Sequence, residues 1–194
     1  LRMNEGKSHR LHSGPASKYC PKLLVHEDDM LDSVAEKYLG DIISKDGNNT
    51  KNIKNRTTKA MGIITDIKNI LKVLCLGHYE FEMAMILRES MFLSAMLLNA
   101  ETWHELTQEN IEELEITDRF LLKRILKVPD STPSIALYLE FGIVPIKYLI
   151  KAKRILYLHN LLNRPKESMI VRVLKAQEKK PSKGDWLSTV LKDI

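Results

Sequence analysis

Cysteine is nearly absent: Cys20 and Cys75 are the only two in 194 residues, and they lie far apart in the chain. That excludes a disulfide scaffold and is expected of reduced, structural thiols. Apolar runs are short as well. None free of charge reaches the roughly 18 residues a membrane helix needs, and the run from Met83 to Met96 is interrupted by Arg88 and Glu89. The first residues, Leu1-Arg2-Met3-Asn4-Glu5-Gly6, hold no apolar stretch of the secretory kind. The expectation is an intracellular chain with no membrane partner, nuclear or cytoplasmic left open. No glycine-rich phosphate loop, internal repeat or low-complexity tract occurs. His9, His12, Cys20 and His26 match no common zinc spacing.

What is present is charge, unevenly placed. The net charge is +5. Residues 1–76 carry 13 basic against 9 acidic side chains, residues 77–140 carry 5 against 12, and residues 141–194 carry 12 against 4. Two basic ends around an acidic middle suggest polyanion contacts at the ends. A helical protein with mixed solvated faces is the alternative.

The pattern of apolar residues predicts mostly helix. Residues 1–36 read as an irregular leader with a short strand near Lys22 to His26, and His26-Glu27-Asp28-Asp29-Met30 reads as a solvated turn. Glu36 to Ser44 reads as a strand, with a hairpin or strand-to-helix corner at Asp46-Gly47. From Thr50, the spacing of Ile53, Thr57, Ala60, Ile64, Ile67, Leu71 and Leu74 predicts a helix of about 25 residues. Lys51, Lys54, Arg56, Lys59, Lys68 and Lys72 fall on the rest of its surface.

Leu76-Gly77-His78 ends that helix, and Tyr79 to Asn99 reads as a central helix packed on several sides. Thr107 is a candidate N-cap for a helix interrupted on its apolar stripe by Asp118. Thr132-Pro133 opens a short helix that Gly142 closes. Pro145 starts another through about Leu162, whose outer face carries Lys147, Lys151 and Arg154. Two final helices, near Lys166 to Lys180 and Trp186 to Ile194, flank Pro181-Ser182-Lys183-Gly184. The expected fold is mainly α: a thumb-like helical bundle after an irregular leader and a short β-hairpin. Its expected divisions are 1–49, 50–163 and a helical linker at 164–194.

Several short motifs occur in a telling order. Asn4-Glu5-Gly6-Lys7-Ser8 comes first, then Tyr38-Leu39-Gly40, then Ser131-Thr132-Pro133 through Glu140-Phe141-Gly142-Ile143-Val144-Pro145-Ile146, and last Ala176-Gln177 with Lys183-Gly184-Asp185-Trp186. In that order they resemble the C-terminal part of a non-LTR (LINE-like) retrotransposon reverse transcriptase, from just after the palm active site through primer grip, thumb and linker.

The resemblance implies a role for each match. Lys7 would serve the pyrophosphate leaving group as a general acid or positive charge. Tyr38, Leu39 and Gly40 would form the primer grip, the glycine allowing close approach of the nucleic acid. Lys51, Lys54, Arg56 and Lys59, with Lys147, Lys151 and Arg154, would track duplex phosphates without sequence choice.

The palm carboxylates that hold two metal ions are missing from the sequence, so Mg2+ is expected only with an intact palm. The implied partners are an RNA–DNA or RNA duplex and the palm of a parent polymerase, and the fragment alone is not expected to polymerise. A non-enzymatic helical interaction protein, or a degenerate remnant that binds a protein partner, is the alternative.

Overall fold

Among the described residues of the first fifty, paired strands are short, and the longest pairing is a four-residue hairpin. The computed structural model describes residues 9–11, 24–25, 28–29, 31–74, 77–182 and 184–194. The chain divides into two compact units, Leu1–Asn52 and Ile53–Ile194.

In the first unit, β1 (His9–Arg10) pairs in parallel with β4 (Leu31–Asp32), and β2 (Leu24–Val25) pairs antiparallel with β3 (Asp28–Asp29). The Asp28-Asp29 pair is thus in a strand rather than in the turn expected of it. The hairpin proper joins β5 (Ala35–Tyr38) to β6 (Asp41–Ser44), with Tyr38 opposite Asp41. Its two-residue loop is Leu39-Gly40, with φ of 47° and 92°. Two positive φ values in a two-residue loop match the right-handed twist of the flanking strands. The single strand expected over Glu36 to Ser44 is therefore two strands.

The Asp46-Gly47 turn exists too, as the corner between β6 and helix α1 (Thr50–Leu74), and Gly47 has φ 70° there. Asp46 Oδ1 accepts from the Asn48 amide at 3.0 Å, and the Ser44 hydroxyl donates to the Asn48 carbonyl at 2.7 Å. The bond from the Asn48 amide holds the Asp46 carboxyl below its ordinary pKa. Asn48 Oδ1 accepts from the Thr50 amide at 2.8 Å, satisfying a donor that the opening of α1 leaves without an intrahelical partner.

The second unit is helical. After a 3-10 turn at Gly77–Tyr79 come α2 (Glu80–Leu87), a π-helical segment Arg88–Leu93 and α3 (Ser94–Met96). This run buries one line of residues four apart, Ala84, Arg88, Phe92 and Met96. Tyr79 and Ile86 stand 67% and 57% exposed, so the run is not enclosed on several sides as its composition suggested. Asn99 at φ 58° turns the chain into a second 3-10 turn, Ala100–Thr102.

Thr107 caps α4 (Gln108–Leu126): its Oγ1 accepts from the Asn110 amide at 3.2 Å. α5 (Ser134–Phe141) ends at Gly142, φ 62°, as the sequence predicts. Pro133 takes the N-cap position of α5 and Pro145 that of α6 (Ile146–Leu162), one residue before the first helical position expected of each. α7 (Met169–Lys179) and α8 (Trp186–Asp193) follow.

The main core gathers Ile67 of α1, Phe92, Trp103, Leu114 and Leu121 of α4, and Ile150 of α6. A smaller cluster joins Leu158 and Leu161 of α6 to Leu174 of α7 and Val190 of α8. Residues 164–194 fall in the same compact unit as residues 53–163. No described helix is long and apolar enough to cross a membrane.

Candidate nucleic-acid interface

The hairpin tip is held by the start of the helix that follows it. Asn52, in the first turn of α1 and 3% exposed, accepts from the Ile42 amide through Oδ1 at 3.1 Å. Its Nδ2 donates to Asp41 Oδ1, also at 3.1 Å. One buried amide side chain thus fixes both the backbone and a side chain of β6. The tip itself stays in solvent, with Tyr38 64% and Leu39 80% exposed. An apolar tip kept out of any core is open to a ligand.

On α1, Lys51, Lys54 and Lys59 are exposed. Arg56, expected among them, is buried with 3% exposure. The reason is helical geometry: Arg56 follows Ile53 by three residues and precedes Ala60 by four, which puts it on the apolar face. It contributes to packing and not to a solvent-facing charged stripe.

The α6 stripe is divided in the same way. Lys147 is exposed, its ammonium 4.9 Å from the centre of the Tyr148 ring. Lys151 lies 3.3 Å from Asp193 Oδ1. Arg154 is 5% exposed, donating from Nε to the Trp103 carbonyl at 2.8 Å and from Nη1 to Asp193 Oδ2 at 2.9 Å. It follows Ile150 by four residues and precedes Leu158 by four, again on the buried line. Of the three, Lys147 is the most exposed, Lys151 is half-buried in an ion pair and Arg154 is buried.

Lys7, with the rest of Asn4-Glu5-Gly6-Lys7-Ser8, lies outside the described residues, as do His12, Cys20, His26, Cys75 and Lys183. His9 Nδ1 lies 3.3 Å from Glu36 Oε1. Among the described residues, no group of three or more His, Cys, Asp or Glu is placed to hold a metal ion.

A buried ion pair was not visible in the sequence. Arg88 Nε and Nη2 donate to Asp118 Oδ1 and Oδ2, each at 2.8 Å, with the two side chains 4% and 0% exposed. Burial raises the Asp118 carboxyl above its ordinary pKa, and Arg88 opposes that rise. The only sequence signal was that each charge interrupts an apolar helix. Comparison with protein-family models, with curated proteins and with solved structures finds no match.

Proposed function

We propose that the chain is a nucleic-acid-binding thumb and linker of a retrotransposon RNA-directed DNA polymerase, one that grips primer–template duplex and does not polymerise alone. The observation that carries this reading is the hairpin: Tyr38 and Leu39 exposed at a positive-φ tip that Asn52 ties to the first turn of α1. A primer end can rest on such a tip, with Gly40 allowing close backbone approach. Lys51, Lys54 and Lys59, exposed on α1, supply phosphate contacts that release counterions and carry no sequence information. Lys147 adds a fourth candidate contact. The carboxylates and Mg2+ for nucleotide addition would come from a palm.

The test is fluorescence anisotropy of a labelled RNA–DNA duplex across a salt series, with Lys51→Glu/Lys54→Glu/Lys59→Glu as the variant. Arg56 is left intact because reversing a buried charge would unfold the helix it supports. The wild-type protein should bind with steep salt dependence. The variant should lose retention, and its slope against log salt should fall by about 1 for each phosphate contact removed. Weak binding with the same slope in both proteins would overturn the reading.

A further inference from the structure

Helices α1 and α4 line two grooves in register. Thr57, Thr58 and Met61 share one with residues 108–120, while residues 64–72 share the other with residues 120–128, so the two helices run in the same direction. The first groove, about 690 Å³, is acidic, with Glu109, Glu112 and Glu113 on its walls. Glu113 accepts from the Thr57 hydroxyl at 2.9 Å, and Glu112 pairs with Arg119 at 2.5 Å.

The second groove, about 770 Å³, has the opposite character. Its rim carries Lys68, Lys72, Lys123, Arg124 and Lys127 against the single carboxylate of Glu80. Its floor offers the half-buried side chains of Leu71, Ile125 and Val128 above buried Ile67 and Leu121.

Among the described residues, three cations of this rim, Lys68, Lys123 and Arg124, have no carboxylate partner. Lys127 reaches Glu80 at 3.0 Å but stays 72% exposed. The Lys123 ammonium donates to the Asp130 carbonyl, an uncharged acceptor. Arg124 lies 5.0 Å over the Phe120 ring, a contact that does not neutralise its charge. Lys68 is exposed. Both helices also end here, and the negative ends of their dipoles favour these cations without removing the excess.

We propose that this groove docks an acidic amphipathic helix of a partner protein. The charge imbalance selects a ligand with carboxylates on its flanks, and the apolar floor selects one with an apolar stripe between them. Residues 64 to 72 rise about 12 Å along α1, which accommodates about two turns of a helix with anchors at i, i+3 or i+4 and i+7. A duplex backbone satisfies the rim but leaves the floor without a partner, and a concave groove of this size does not fit a lipid surface. The proposal uses none of the residues assigned above to nucleic acid and stands independently of that reading.

The probe is a labelled helix-forming peptide of about 15 residues, long enough to hold helix, with leucine at the anchor positions and glutamate on both flanks. Two control peptides replace the leucines by glutamine or the glutamates by lysine. Anisotropy with the whole chain should show binding of the first peptide, with both controls weaker by at least about tenfold. Lys68→Glu/Arg124→Glu should weaken binding by a similar factor while circular dichroism stays unchanged. The α1 variant Lys51→Glu/Lys54→Glu/Lys59→Glu should bind the peptide as wild type does, which separates this test from the duplex test.

Equal binding of the glutamine control would reduce the effect to bulk charge and overturn the proposal. So would indifference of the groove variant, or no peptide binding by a folded protein. Loss of duplex affinity in the groove variant without peptide binding would make the groove a phosphate track, and the proposal would fail in favour of it.

Discussion

Arg88 and Arg154 are both buried in the helical unit, yet they meet different partners. Arg88 faces a carboxylate that is fully enclosed and binds both of its oxygens. Arg154 divides its donors between the Trp103 carbonyl and Asp193 in the last turn of α8, and its Nη2 finds no acceptor among the described residues. The first pair lies inside the packing of the π-helical segment against α4, where each charge depends on the other because water is excluded. The second closes a clasp at the C-terminal end.

The same clasp includes the Trp186 indole, which donates to the Glu101 carbonyl at 2.7 Å and meets the Tyr157 ring edge-on at 5.6 Å. It also includes Asp185, the N-cap of α8, whose side chain accepts from the Ser188 amide at 2.7 Å. The difference teaches that a buried charge is obligatory where its partner is enclosed, and is one of several fastenings where its partner sits at an element's end.

The sharpest way to break this comparison is to remove one carboxylate from each site. Asp118→Ala should cost about 3–5 kcal/mol, because it leaves a buried guanidinium uncompensated. Asp193→Ala should cost less, about 1.5–3 kcal/mol for lost hydrogen bonds to a charged group. Urea unfolding of the two variants measures both, and equal costs would erase the distinction.

Gly184→Ala comes next. Gly184 has φ 90°, and an added Cβ would overlap the Glu105 carboxylate, so the strained backbone alone should cost about 1–2 kcal/mol. An unchanged unfolding midpoint would show that the clasp tolerates a different loop there.

Trp186→Phe keeps a ring but removes the donor to Glu101, and thermal denaturation should report about 1 kcal/mol. A loss several times larger would mean that the indole fills space the phenyl ring cannot.

The smallest expected effect is titration of Asp185. The Ser188 and Ser182 donors hold its carboxyl at about 2, below the ordinary 3.8. Because the folded value is the lower one, this cap's contribution is complete above 3.8 and is lost as pH falls toward 2. Faster amide exchange at Ser188 on acidification through that window, after correction for intrinsic rates, is the expected signature.

The sequence showed what periodicity and punctuation encode. The 25 residues of α1 begin at Thr50, Thr107 caps α4, and Gly142 ends α5, each for a local reason that one stretch of chain contains. Of the two readings open at Asp46-Gly47, hairpin or strand-to-helix corner, the corner is the one observed, and the hairpin closes at Leu39-Gly40, where Leu39 is not a residue that advertises positive φ. Both turns are real, and only one closes the hairpin. Asp118 read as a flaw in its helix because its partner lies thirty residues earlier, a pairing that spacing cannot reveal.

Arg56 and Arg154 stand three or four residues from apolar neighbours, a spacing that places them on the buried face whatever their charge. The exposed candidates are accordingly fewer than the sequence offers: Tyr38, Leu39 and Lys51 in the first unit, and Lys54, Lys59 and Lys147 in the second.

The bonds from Asn52 back to Asp41 and Ile42 close a loop of about ten residues, and chains of that length find their ends in roughly 10–100 ns. The hairpin and the opening turn of α1 therefore need nothing distant to meet one another. Asn52→Ala should speed exchange of the Ile42 amide at once, while an amide at the centre of α4 keeps its protection, so that the tip behaves as a separately opening unit.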